Sequence, residues 1–171
     1  MTTTRAAVAR TIRQWVIDND IEGEWPTDTT CVAVLPGDHK LRTAVSLVVG
    51  EHSLSIDAFV MRHPEDNVGV VHQWLLERNA KLALVSYSID HLGDVYLTGR
   101  IPLAVVTVDV LDAVMGQVLE ASDGPFNFLL ELGFETAIVR EWQWRLDRGE
   151  STANLAPFDH LRPSDDQPQQ S

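Results

Sequence analysis

Six histidines, one cysteine and a close pair of aspartates are the residues of this chain with the means for chemistry: His39, His52, His63, His72, His91, His160, Cys31, and Asp90 with Asp94. A zinc site usually takes two of its ligands at short helical or CxxC spacing, so that one stretch of backbone delivers both. No two of these histidines stand at i, i+3 or i, i+4, and five of them fall in predicted turns or in the C-terminal segment. A single cysteine permits neither a CxxC pair nor an intramolecular disulfide. No metal or cofactor is therefore expected. Cys31 would need a nearby base to act as a nucleophile. It stands early in the apolar run TCVAVL, where cysteine behaves as a small buried hydrophobe. Asp90 and Asp94 bracket DHLGD. Two carboxylates so spaced can hold a cation or share acid–base work. The segment brings no further oxygen ligands, however, and turn aspartates more often bond their own backbone. The turn reading is preferred, with Arg100 on the next strand as an available ion-pair partner. GxSxG, GxxxxGK, HExxH and GxGxxG are absent, and no catalytic residue is predicted.

The composition narrows the partners. The formal net charge is −12, from 25 acidic and 13 basic residues. A phosphate-backbone binder needs a basic face to release counterions, so nucleic acid is not an expected partner. Anionic membrane surfaces are disfavoured for the same reason. No apolar run approaches the ~20 residues of a membrane span, and the N-terminus lacks the apolar core of a signal peptide. A cytoplasmic location is expected.

The elements that would position these residues follow from periodicity. Thr2 to Thr4 offer N-cap hydroxyls to a first helix, with Val8, Ile12, Trp15 and Val16 on one face. Gly23 and Trp25-Pro26 are predicted to end it. Three strands follow: Thr30 to Leu35, Leu41 to Val49 and Ser53 to Met61. The latter two alternate apolar and polar residues, and their connections are too short for parallel crossovers. Asp66 or Asn67 can cap a second helix over Val68 to Arg78, with Asn79 suited to a left-handed C′ position. Strands Leu84 to Ile89 and Val95 to Ile101 form a hairpin around the Asp90–Asp94 turn. Thr107 caps a third helix, which Asp123-Gly124-Pro125 interrupts.

The last helical region carries an odd stripe: Phe126, Leu130, Phe134, Ile138, Trp142 and Leu146 recur every four residues. A helix of 3.6 residues per turn lets such a stripe drift by about 40° per step. One straight helix cannot hold all six on one face. Leu132-Gly133-Phe134 is the predicted break, leaving a helix over about 135–148 as an appendage to a domain spanning 1–148. Residues 149–171 hold three prolines, an acidic stretch and a glutamine-rich end, the composition of a disordered tail.

The order α-βββ-α-ββ-α(α) gives an α+β fold, an antiparallel sheet of about five strands with helices on one face. That order, with LLERNAKLALVSYSIDHLGDVYLTGRIPL at 75–103, resembles the YbjN family and the type III secretion chaperone-like proteins with which it is grouped. The matching landmarks are the helix ending on Asn79, Tyr87 in the next strand, the Asp90–Asp94 turn, and Leu97 to Leu103 with Pro102. The resemblance covers about residues 4–135. It implies a two-layer α+β fold, a protein-binding role and dimers, and it supplies no catalytic or cofactor residues.

The expected function is a non-enzymatic protein-interaction module, a chaperone-like or stress/signalling regulator that acts by binding protein partners or a second copy of itself. Trp is enriched in interaction surfaces, and Ile138, Val139, Trp142 and Trp144 are the predicted contact residues. The alternative is a small-molecule sensor or unrecognised enzyme with a cleft lined by Cys31, His72, Asp57 or the Asp90–Asp94 turn. A purely structural subunit would instead aggregate when isolated.

Overall fold

The computed structural model describes residues 4–164. Helix α1 (Arg5–Asp18) starts where Thr4 accepts a hydrogen bond from the Ala7 amide at 3.2 Å. It ends in a Schellman turn: the Ile21 amide donates to Val16 and the Asp20 amide to Ile17, with Asp20 at φ 51°. Aspartate there does the work usually given to glycine, so the helix stops before Gly23. The residues released form a strand that the sequence reading missed, β1 (Glu22–Thr27). Proline is tolerated in a sheet only at an edge or a bulge. Here it has both: β1 is an edge strand, and its register with β2 shifts between Glu24 and Thr27.

Strands β2 (Thr30–Pro36), β3 (Arg42–Val49) and β4 (Ser53–Met61) form the predicted meander. After α2 (Val68–Asn79) come β5 (Ser86–Ile89) and β6 (Val95–Pro102). The result is a six-stranded antiparallel sheet in the order β1-β2-β3-β4-β6-β5. A 3-10 turn, Leu103–Val105, leads to α3 (Val108–Asp123), whose first turn is capped by Thr107 as predicted. Helix α4 (Phe126–Arg148) follows, and a 3-10 segment spans Ala153–Leu161.

Alternation decides which face of the sheet is covered. Cys31, Ala33 and Leu35, Val45 and Leu47, Leu54, Ile56 and Ala58, and Val95 and Leu97 point to one side and are buried under α1, α2 and α3. The opposite side carries Val32, Val34, Val48, Asp57, Phe59, Tyr96 and Arg100, none of them buried. Trp15 locks the helical layer by donating its indole N–H to Asp112 at 2.5 Å. Within the core, Thr43 and Ser122 satisfy each other at 3.2 Å, as buried hydroxyls must.

The 75–103 landmarks prove to be one device. Asn79 is the last residue of α2 and is not left-handed; the positive φ belongs to Asn67, at the other end. The Asn79 carboxamide instead brackets Tyr87, accepting from its amide at 2.7 Å and donating to its carbonyl at 3.0 Å. Tyr87 in turn donates its hydroxyl to the Ala121 carbonyl at 2.6 Å. Helix, hairpin and α3 are thereby tied through one residue. The Asp90–Asp94 turn is structural, as preferred: Asp90 accepts from the amides of Leu92 and Asp94, both at 2.9 Å, and Asp94 accepts from the His63 amide at 2.8 Å. Gly93 at φ 84° lies so close to the His63 ring that no Cβ fits. Arg100 lies opposite Ser55 and pairs with neither aspartate among the described residues.

Candidate functional site

The break predicted in the last helix is present. Phe134 leaves helical geometry (φ −143°, ψ 26°) and divides α4 into two pieces. The loop before α2 braces the break. The Glu65 and Asp66 amides donate to the Gly133 carbonyl, both at 2.9 Å, and Asn67 donates its side-chain amide to Leu132. The Asp66 carboxylate accepts from the amide and hydroxyl of Thr136, at 2.8 and 3.2 Å. Asp66 therefore works as a remote N-cap for the second half of α4, while Asn67 caps nothing with its side chain. Gly133 is buried against Met61 and Pro64, which leaves little room for a larger residue.

Beyond the break, the segment predicted as disordered is folded over residues 153–161. It doubles back onto α4 and builds a second small core of Ile138, Trp142, Leu155 and Phe158. The Trp142 indole donates to the Phe158 carbonyl at 3.0 Å. His160 reaches Glu131 at 2.9 Å, tying the segment to the first half of α4. Composition suggested disorder because three prolines and few apolar residues lie there. Two apolar residues, Leu155 and Phe158, suffice once α4 offers Trp142 as a platform. The part of the expected disordered tail at residues 165–171 lies outside the described residues.

This packing divides the predicted contact residues. Ile138 and Trp142 are core, with Trp142 only 2% exposed, and cannot serve as a free surface. Val139 and Trp144 are exposed, at 37% and 44%. They stand five positions apart, about 140° around the helix, and do not form one patch. Arg148 lies over the Trp144 ring at 4.9 Å.

The first four residues of the six-residue stripe also line a groove, Ile138 with the small part of its surface that the second core leaves open. Phe126, Leu130, Phe134 and Ile138 form one wall of this groove of about 390 Å³, with Leu155 beside them and the end of β4 opposite. Strand β3 makes its last pairing with β4 at Val45 and Ala58, so among the described residues the backbone of β4 beyond that point lacks a strand neighbour on this side. Lys40 covers it. Its ammonium donates to the carbonyls of Phe59 and Val60, and sits 5.2 and 5.7 Å from the Phe59 and Phe126 rings. Burial pulls the Lys40 amine down from 10.5 to about 8. Its backbone is fixed by Asp123, whose carboxylate accepts from the amides of His39 and Lys40, each at 2.7 Å. Burial opposes ionisation of Asp123, but these amides outweigh it and hold its carboxyl below the usual range. Sequence reasoning passed over Lys40; the only available signal was that it is one of two lysines in a chain with 25 acidic residues.

The residues named for the alternative cleft are scattered. Cys31 is fully buried in the sheet core, and burial pushes its thiol up against the opposing pull of Arg13. Asp57 faces the open side of the sheet between Ser46 and Thr98. His72 lies on α2, where its Nε2 is buried without a hydrogen-bond partner among the described residues. No group of three or more His, Cys, Asp or Glu among the described residues is placed to hold a metal. No helix among them is long and apolar enough to cross a membrane.

A one-sided antiparallel sheet under a single helical layer, with the other face open among the described residues, defines an α+β scaffold. The chain belongs to the YbjN family: the family model described as "Putative bacterial sensory transduction regulator" matches residues 9–131, ending just before the break in α4. Relatives from Mycobacterium tuberculosis and Mycobacterium leprae, both called uncharacterized proteins, are each 52% identical. They align with 78% and 76% of this chain and with 73% and 71% of their own lengths. Among solved structures, the ExsC-ExsE complex matches with a TM-score of 0.56 at 18% identity, covering 75% of this chain and 97% of that one. The HopA1-SchA chaperone-effector complex matches at 0.50 and 15%, covering 66% and 88%. YbjN from E. coli matches at 0.50 and 16%, covering 69% and 87%. These likenesses establish the fold.

Proposed function

We propose that the chain is a non-enzymatic, cytoplasmic protein-interaction module that forms homodimers and binds protein partners. The observation that carries this reading is the uncovered sheet face. A sheet normally buries one face and solvates the other with polar side chains. Here Val48 and Phe59 remain 38% and 37% exposed on the open face, beside the partly exposed Val32, Val34 and Tyr96. Exposed apolar surface rimmed by polar residues is the usual mark of a protein-binding site. Family membership supports the reading, as do the two fold neighbours that are complexes of two proteins. Of the four sequence-predicted contact residues, Val139 and Trp144 are the ones a partner can touch; Ile138 and Trp142 hold the helix that presents them.

The test is light scattering together with affinity purification from the native host, on wild type, Val48→Arg and Trp144→Ala. Wild type is expected at twice the 19.1 kDa chain mass with a reproducible set of co-purifying proteins. Val48→Arg should lose partners while keeping its melting temperature, because the residue lies outside the core. An unchanged mass and an unchanged partner set in both variants would sink the proposal.

A further inference from the structure

We propose that the groove between the end of β4 and the two halves of α4 is a binding site for a medium-chain aliphatic carboxylate, seated with its carboxylate on Lys40 and its chain along Phe126, Leu130, Phe134 and Ile138. The site adjoins the open sheet face, with which it shares Phe59, and borders the Trp144 surface at Ala137 and Glu141. It also lies partly outside the stretch that matches the family model, since Ile138 and Leu155 follow residue 131.

Charge complementarity selects the occupant. Lys40 is a partly buried cation, and no carboxylate among the described residues lies within the 4.0 Å of an ion pair with its ammonium. That is unexpected in a chain with 25 acidic residues. Neutral carbonyls take two of its three N–H donors, leaving the third without a protein partner among the described residues. A half-buried cation without a counter-charge has lost part of its hydration, and an anion beside it offsets that loss. Arg62 adds a second positive charge to the lining. Glu141 also lines the groove, but Arg145 neutralises it at 2.6 Å. The remainder of the lining is apolar, and the volume lies within the range of small-molecule sites. The ligand that satisfies both halves has an apolar chain and one anionic end. The four-residue stripe, which a single buried helix face cannot use, supplies the wall for the chain.

The experiment is isothermal titration calorimetry of the full chain with decanoate below its micellar concentration. Decan-1-ol and decyltrimethylammonium serve as probes with the same chain and no negative charge. Decanoate is expected to bind saturably at one site per chain and to raise the melting temperature. The alcohol should bind about tenfold or more weakly, and the cation not at all. Lys40→Met keeps the stem and removes the charge, so it should bring decanoate down to the level of the alcohol. Ala137→Phe fills the groove from an α4 position and should abolish binding of both. Arg62→Ala, at an exposed position, supplies a variant that leaves folding untouched and should weaken decanoate alone. The proposal is overturned if decanoate fails to saturate, if the alcohol binds equally well, or if well-folded Lys40→Met and Arg62→Ala chains bind decanoate like wild type. Each outcome is read with no partner protein present and with Val48 and Trp144 unchanged, so failure here and failure of the partner-binding reading are distinguishable.

Discussion

The sheet domain and the C-terminal hairpin of α4 with its 3-10 segment are held together in different ways. In the domain, residues far apart in sequence meet: β4 joins β6 across α2 and β5, and about thirty buried residues form one continuous core. In the hairpin, partners lie 16 residues or so apart, as with Trp142 and Phe158, and four residues are buried. A small core close in sequence is quick to form and quick to open, whereas a large non-local core opens only with the whole domain. The two regions meet at the break in α4, where Glu65, Asp66 and Asn67 engage the backbone and Phe134 packs against both cores, and again where His160 reaches Glu131. The comparison teaches that the hairpin is a separable unit fastened to a stable scaffold, with the Lys40 groove along its seam.

The sharpest way to break this comparison is a pair of core truncations read by native-state hydrogen exchange. Leu47→Ala, in the sheet core, should lower global stability by about 3 kcal/mol and speed exchange throughout. Trp142→Ala should cost the hairpin about 3 kcal/mol, yet leave protection of the β3 and β4 amides near wild type. If Trp142→Ala depresses β3 and β4 equally, the two regions are one cooperative unit. The joint between them should show a smaller effect. Asp66→Ala removes a remote cap, with an expected cost of about 1 kcal/mol felt by residues 136–148; a loss spread evenly over the sheet would count against the joint.

The smallest effect is the pH response of the Lys40 loop. The Asp123 carboxyl is held below its ordinary 3.8. Its contribution is therefore present above the unfolded value and is lost as pH falls through the folded one. In urea titrations, wild type should lose stability from about pH 4 downward faster than Asp123→Asn does. Parallel curves for the two would show that the carboxylate does not hold the loop.

Much of the scaffold was legible. Period-two alternation gave β3 and β4, helical spacing gave α1 and α3, and the Asp90–Asp94 turn was correctly weighed as backbone chemistry. The misses share a cause. β1 went unseen because Asp20, not a glycine, takes the left-handed cap. The hairpin was read as a tail because Leu155 and Phe158 are sparse, and sparse apolar residues look unfolded until a partner surface is known. Lys40 drew no notice because a lysine near a turn is ordinarily solvated.

By itself, then, the sequence determined the order of elements, the one-sided sheet, and that six residues at four-residue spacing could not share a helix face. These are local matters, settled by side-chain period and capping within a few residues. The tertiary structure decided where that conflict is resolved: the break at Phe134 turns one end of the stripe toward a groove and the other into a second core. It also decided that Trp142 is buried while Trp144 is exposed, and that Lys40 has no counter-ion beside it among the described residues. Such outcomes depend on which distant surfaces meet, and burial and charge pairing are properties of that meeting.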